Sequence, residues 1–230
     1  MASHFSCFVT GTDTNVGKTL IAAALLHKCR AHGWRSVGMK PVASGCTQYV
    51  DGTWRNEDVE ALAAASSIRG DRALVNPYLL REAIAPHLAA DHVGVHIDPK
   101  VIMDSYRQLS EQADAVIVEG AGGFLVPLAG DFDSGDLARN LGLPVVLTVG
   151  MRLGCINHAL LTQDAIVTRG LKLAGWVANC MERDMACLEE NLASLKQRLH
   201  APLLGTVPFM EAPDPVKASE YLALPFQDSL

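Results

Sequence analysis

The stretch FSCFVTGTDTNVGKTLIAAALL, Phe5 to Leu26, sets a short apolar run before a turn, then Gly-Lys-Thr, then a run with helical character. A loop that opens a helix aims free backbone N–H groups and the positive end of the helix dipole at one point, so it holds an anion. Within GTDTNVGKT, Gly17 lets backbone approach closely, Lys18 supplies a point charge, and the Thr19 hydroxyl is a ligand suited to Mg2+. The strict phosphate-loop spacing places Gly at position 12; this chain has Thr12 there and Gly11 one residue earlier, so the loop is a variant.

Five further apolar runs follow SCFVT at 6–10: SVGMK at 36–40, AVIVE at 115–119, PVVLTVG at 144–150, LAGWVAN at 173–179 and PLLGTVPF at 202–209. Their lack of alternation reads as parallel strands buried on both faces. Helical spacing between them, as in Ile156, Ala159, Leu160, Ile166 and Val167, predicts an α/β fold. The expected architecture is one doubly wound, mainly parallel sheet with helices on both faces, in a single domain spanning residues 1–230. The segment around Pro77, Pro86 and Pro99 reads as an irregular excursion, and the end of the chain after Phe209 as a helical tail.

Composition narrows the partners. With 19 Lys and Arg against 25 Asp and Glu, the net charge is −6, which disfavours a broad grip on nucleic acid or anionic lipid. No apolar run approaches the ~20 residues of a membrane span, and the first ten residues lack the features of a signal peptide. Six cysteines without a C-x-x-C pair read as reduced packing residues, and a cytoplasmic enzyme acting on a small molecule is expected. His87, His92 and His96 read as loop residues rather than a metal site; Met103 and Tyr106 sit at core spacing.

Ligands of doubly wound folds bind beyond the carboxyl ends of the strands. Lys40 closes the second run before Pro41, which biases it towards extended geometry and points its ammonium at that crevice. Ser44 and Gly45 continue a polar loop. Glu119 ends the third run and is followed by glycines at 120, 122 and 123, a position suited to a Mg2+ ligand. Asp58 is the candidate for a third oxygen donor, although spacing alone makes Asn56 to Glu60 an ordinary helix start with Asn56 as its cap. Asn157 either caps the helix that begins near Ile156 or reaches a ligand, and the Asn179 amide suits the edge of a base.

Taken in order, GTDTNVGKT, KPVASG, VEGAGG, LGCINHALLT, GWVAN and APLLGTVP resemble the dethiobiotin synthetase family, from about Phe5 to Phe209. The resemblance implies a phosphate-loop NTPase-like fold and ATP-dependent carboxylation of 7,8-diaminononanoate by CO2, giving dethiobiotin, ADP and phosphate in a homodimer. It implies that Lys18 and Lys40 are catalytic and that Thr19, Asp58 and Glu119 hold Mg2+. Ser44, and Asn157 from the neighbouring subunit, would contact the diamine. ATP would be lined by Asn15, Val16, Gly17, Lys18, Thr19, Leu20 and Asp58, by Glu119, Gly120, Ala121 and Gly122, and by Asn179, Val207, Pro208 and Phe209. The chain departs from the family pattern at Asn15, where Glu can occur, and at Cys180 and Phe209, where Asp and Trp can. The rival reading is a partner-regulated phosphate-loop ATPase switch; such switches carry an extra early Lys, where this chain has Thr12 and Asp13.

Overall fold

A computed structural model describes residues 5–225; residues 1–4 of the amino-terminal stretch and residues 226–230 of the expected helical tail lie outside the described residues. All six apolar runs form strands: β1 (Phe5–Gly11), β2 (Ser36–Met39), β3 (Ala115–Gly123), β4 (Val145–Met151), β5 (Leu173–Cys180) and β6 (Leu203–Val207). They make one sheet in the order β6-β5-β4-β1-β3-β2, with every pairing parallel. Successive side chains divide between two cores. Phe8, Val118, Leu147 and Ala178 enter one, while Cys7, Val9, Ile117, Val146 and Val177 enter the other. With both faces buried, β1 to β5 read as continuous apolar runs rather than alternating ones, while the edge strand β6 is half-buried.

Helices cover both faces: α1 (Lys18–Ala31), α2 (Glu57–Ala65), α3 (Pro86–His92), α4 (Pro99–Gln112), α5 (Ser134–Leu141), α6 (Cys155–Thr168), α7 (Leu188–Arg198) and α8 (Pro215–Glu220). On one face α1 buries Ile21, Leu25, Leu26 and Cys29, and α8 adds Ala218 to the same core. The chain passes from β1 through α1 to β2 on one side of β1, then later places β4 on the other side. The order therefore reverses beside β1, and the crevice at that reversal lies over the loop after β1.

The proline segment is an excursion outside the main sheet, irregular at residues 81–85 and 93–98 as the sequence reading expects, but it holds more regular structure than that reading gave it. Pro86 and Pro99 stand in the first turns of α3 and α4, where a missing N–H removes no helical hydrogen bond. Asp98 caps α4 by accepting from the Lys100 N–H at 2.8 Å. Tyr78–Leu80, just after Pro77, pairs in parallel with Val42–Ser44. The buried face of α4 carries Ile102, Ser105 and Leu109, so Met103 is exposed and Tyr106 only half-buried. Val167 is likewise exposed on α6. All six cysteines are free thiols, but only Cys7, Cys29, Cys155 and Cys180 are buried.

Candidate active site

The loop from Gly11 to Gly17 folds back over the end of β1. Gly17 adopts φ +92°, and a Cβ there would stand 2.3 Å from Nδ2 of Asn179. Only glycine fits, because the left-handed backbone and the close amide both exclude a side chain. Asn179, at the end of β5, donates from Nδ2 to the Val16 carbonyl at 2.9 Å, which ties the loop to the neighbouring strand. Asp13 accepts the Thr14 N–H through Oδ1 at 2.7 Å, and its carbonyl accepts from Lys18 Nζ at 3.0 Å.

Side chains from three other elements converge on α1's first turn. Thr19 Oγ1 lies 2.7 Å from Asp58 Oδ1 and 2.9 Å from Glu119 Oε1. Lys40 Nζ lies 2.6 Å from Glu119 Oε1, 2.8 Å from Asp58 Oδ2 and 3.2 Å from the Gly120 carbonyl. Asp58 reaches this point because Asn56 caps α2, accepting from the Asp58 and Val59 N–H groups at 3.0 and 3.3 Å. The ordinary helix start and the carboxylate at the site are thus the same structure.

The protonation states follow from this packing. Burial, reinforced by the charge of Lys40, pushes the Lys18 ammonium down to about 8. Burial also acts to lower Lys40, but the Glu119 and Asp58 carboxylates outweigh it and hold Lys40 above the usual lysine value. Burial raises Glu119, with Asp58 adding and Lys40 opposing. Burial works against ionised Asp58 too, yet Lys40 prevails and lowers it.

A cleft of about 770 Å³ opens over this cluster and is lined by Asn15, Gly17, Lys18, Thr19, Lys40, Ser44, Asp58, Glu119, Ala121 and Gly122. The Ser44 hydroxyl is buried against it without a hydrogen-bond partner. Val16, Leu20, Gly120, Asn179 and Val207 to Phe209 stand outside the cleft wall, and Asn157 is exposed on α6. Asn157 is not that helix's cap, a position held by Gly154 in the left-handed region. His87 and His92 belong to α3 rather than to a loop, and His92 Nδ1 lies 3.0 Å from the Glu82 carboxylate. Among the described residues no group of three His, Cys, Asp or Glu side chains is placed to hold a metal.

The chain matches the family described as AAA domain over residues 6–217. It is 53% identical over 225 residues to the ATP-dependent dethiobiotin synthetase BioD of Janthinobacterium sp. (strain Marseille), covering 96% of this chain and 95% of that one. The chain belongs to the dethiobiotin synthetase family. The synthetase of the same name from Nitrosospira multiformis is 56% identical over 202 residues, with 88% and 87% of the two chains covered. Among solved structures, the septum site-determining protein MinD of Pyrococcus horikoshii OT3, complexed with Mg-ADP, superposes with TM-score 0.54 at 17% identity over 94% of this chain and 86% of its own. The signal recognition particle receptor FtsY of Elizabethkingia anophelis gives TM-score 0.54 at 14% identity, over 94% and 61%. These two likenesses carry the phosphate-loop fold alone.

Sequence reasoning missed the apolar wall of this synthetase-family cleft: Ala83, Ile84, Ala85, Pro86 and Val126. The pairing of Tyr78–Leu80 with Val42–Ser44 brings the first four of these beside Ser44. Pro86 was the available signal, since a proline that opens a helix marks the chain entering α3 at the rim of the cleft.

Proposed function

We propose that the chain, acting as one domain in the cytoplasm, carboxylates 7,8-diaminononanoate with CO2 and closes the ureido ring to dethiobiotin, converting ATP to ADP and phosphate. The observation that carries this reading is the meeting of Lys18, Thr19, Lys40, Asp58 and Glu119 within hydrogen-bonding distances along one cleft. Relatives at about half identity over nearly the whole chain support it.

The triphosphate lies over the loop from Asn15 to Leu20, with its anionic end facing Lys18 and the amino end of α1. Glu119 to Gly122 border the phosphates, and the base end runs towards Asn179 and Val207 to Phe209 at the neighbouring strand ends. The donor set beside the loop fits magnesium. One hydroxyl proton of Thr19 satisfies only one of two adjacent carboxylates, and Glu119 Oε2 is buried without a hydrogen-bond partner. Thr19, Asp58 and Glu119 would therefore hold Mg2+ through hard oxygens. When bound, the ion neutralises charge on the β- and γ-phosphates.

Only a neutral amine attacks CO2. A free alkylamine titrates at ~10.4, and the cations Lys18 and Lys40 disfavour a third positive charge beside them. The same cations stabilise the carbamate that forms, with Ser44 Oγ placed to hydrogen-bond it. A carbamate oxygen then attacks the γ-phosphorus and ADP departs, leaving a carbamic-phosphoric anhydride. Lys18 and Lys40 offset the charge that spreads over the transferring group. The second amine attacks the carbonyl carbon, the carbon–oxygen bond to phosphate breaks, and the ring closes with release of phosphate and a proton. No protein nucleophile is needed, so positioning and electrostatics carry the catalysis.

A homodimer completes the proposal. Asn157 and Leu161 stand four residues apart and are exposed on one face of α6, with Leu153, in the turn just before the helix, and Leu125 also exposed. A second copy laid on that face would bring its Asn157 to the diamine.

The test is a reaction of the purified protein with ATP, Mg2+, bicarbonate and 7,8-diaminononanoate, read by mass spectrometry. Dethiobiotin and ADP should accumulate one for one. ATP consumption at the same rate without the diamine, and no dethiobiotin with it, would overturn the reading.

A further inference from the structure

We propose that Arg152 is a positioning residue for the nucleotide: from the end of β4 it fixes Asp13, and through the Asp13 carbonyl it sets where the Lys18 ammonium stands. The inference rests on the phosphate-loop reading of the site.

Arg152 directly follows Met151, the fully buried last residue of β4, so its backbone is anchored in the sheet. Its guanidinium Nη2 lies 2.5 Å from Asp13 Oδ2. The other carboxylate oxygen accepts the Thr14 N–H at 2.7 Å. Two different partners on the two oxygens fix the side-chain torsions of Asp13, and with them the plane of the following peptide. That peptide's carbonyl, on Asp13, is the one that accepts from Lys18 Nζ at 3.0 Å. The chain of contacts thus runs from a rigid strand end to the ammonium that faces the phosphates.

Charge gives a second reason. Asp13 is the one acid between Gly11 and Thr19. A carboxylate in a loop that receives a triphosphate opposes binding unless a cation neutralises it, and Arg152 supplies that cation. The pair is roughly half exposed, at 42% and 47% of side-chain area, so it adds little to folding. Its effect is expected on binding instead.

The test compares Arg152→Met and Arg152→Lys with the parent protein by calorimetric titration with Mg-ATP, by steady-state kinetics and by urea unfolding. Arg152→Met should weaken Mg-ATP binding and raise its KM about five- to tenfold, with a smaller fall in kcat because Lys18 also faces the transferring group, and with the KM for the diamine within about twofold and the urea midpoint unmoved. Arg152→Lys, which keeps the charge, should recover most of the affinity. Unchanged Mg-ATP affinity in Arg152→Met would overturn the inference, as would a uniform loss of kcat with a lowered urea midpoint, since that marks damage to the fold. The titration needs no diamine, so the inference can fail or hold independently of the ring-closing reaction.

Discussion

Replacing Lys40 by Met keeps the aliphatic stem but removes the ammonium whose three protons face three acceptors: Glu119 Oε1, Asp58 Oδ2 and the Gly120 carbonyl. Removing one partner of a buried ion pair costs about 3–5 kcal/mol. Asp58 is 38% exposed and recovers water, so the loss centres on Glu119, whose side chain is fully buried. Glu119 limits the cost by taking up a proton, which its raised pKa already favours through burial. About 3 kcal/mol near pH 8 is expected, which at a urea slope of about 2–3 kcal/mol/M lowers the midpoint by about 1 M or more. The sign with pH follows from linkage. A carboxyl with a folded pKa above its unfolded one binds more protons when folded, so stability falls as pH rises from the ordinary carboxyl range to the raised value. Urea unfolding of Lys40→Met should show a deficit that is largest at pH 8, shrinks towards pH 5, and is partly recovered on adding Mg2+. A midpoint equal to that of the parent at pH 8, or a deficit independent of pH, would refute the electrostatic account of this cluster.

Gly17→Ala should weaken Mg-ATP binding sharply. Its Cβ would stand 2.3 Å from the Asn179 amide at φ +92°, and the conformational penalty of about 1–2 kcal/mol adds to a lost hydrogen bond of about 1 kcal/mol. Calorimetry and thermal unfolding check it, and unchanged values in both count against the loop geometry. Lys18, pushed down to about 8 by burial and by Lys40, is part neutral at pH 8, and a triphosphate favours its charged form. Mg-ATP binding at pH 8 should therefore take up a fraction of a proton, seen as binding enthalpy that varies with the ionisation enthalpy of the buffer; uptake should fade towards pH 7. Leu161→Glu places a charge on the exposed face of α6 and should convert a dimer to monomers in sedimentation velocity, whereas a monomeric parent would dispose of the homodimer proposal.

β1 to β5 were legible because each is an apolar run buried on both faces and closed by Lys, Glu, Gly or Asn at the rim, and β6, a half-buried edge strand closed by Pro208, because it is a short apolar run. Lys40 and Glu119 were legible for the same reason: a charged residue ending a buried run in a doubly wound sheet has the ligand crevice before it. Asp58 was half legible. Spacing correctly made Asn56 the cap of α2, but only the resemblance brought that first turn to Thr19, because the contact spans 39 residues. The contacts that hold the loop were invisible, since Asn179 to Val16 and Arg152 to Asp13 join residues 163 and 139 apart. The prolines misled because Pro breaks a helix interior yet favours its first turn, and spacing alone did not say which place each held. Met103 and Val167 missed the core because one residue turns a side chain by about 100° around a helix, enough to carry it from the buried face to water.

The account stands on a carbamate oxygen attacking the γ-phosphorus between Lys18 and Lys40, and the oxygen itself reports on that step. With 18O-labelled bicarbonate in unlabelled water, ring closure by cleavage of the carbon–oxygen bond should leave one 18O in each released phosphate, read by mass spectrometry beside the dethiobiotin formed. Phosphate that carries no label while dethiobiotin accumulates would contradict the anhydride and the assignment of both lysines to it.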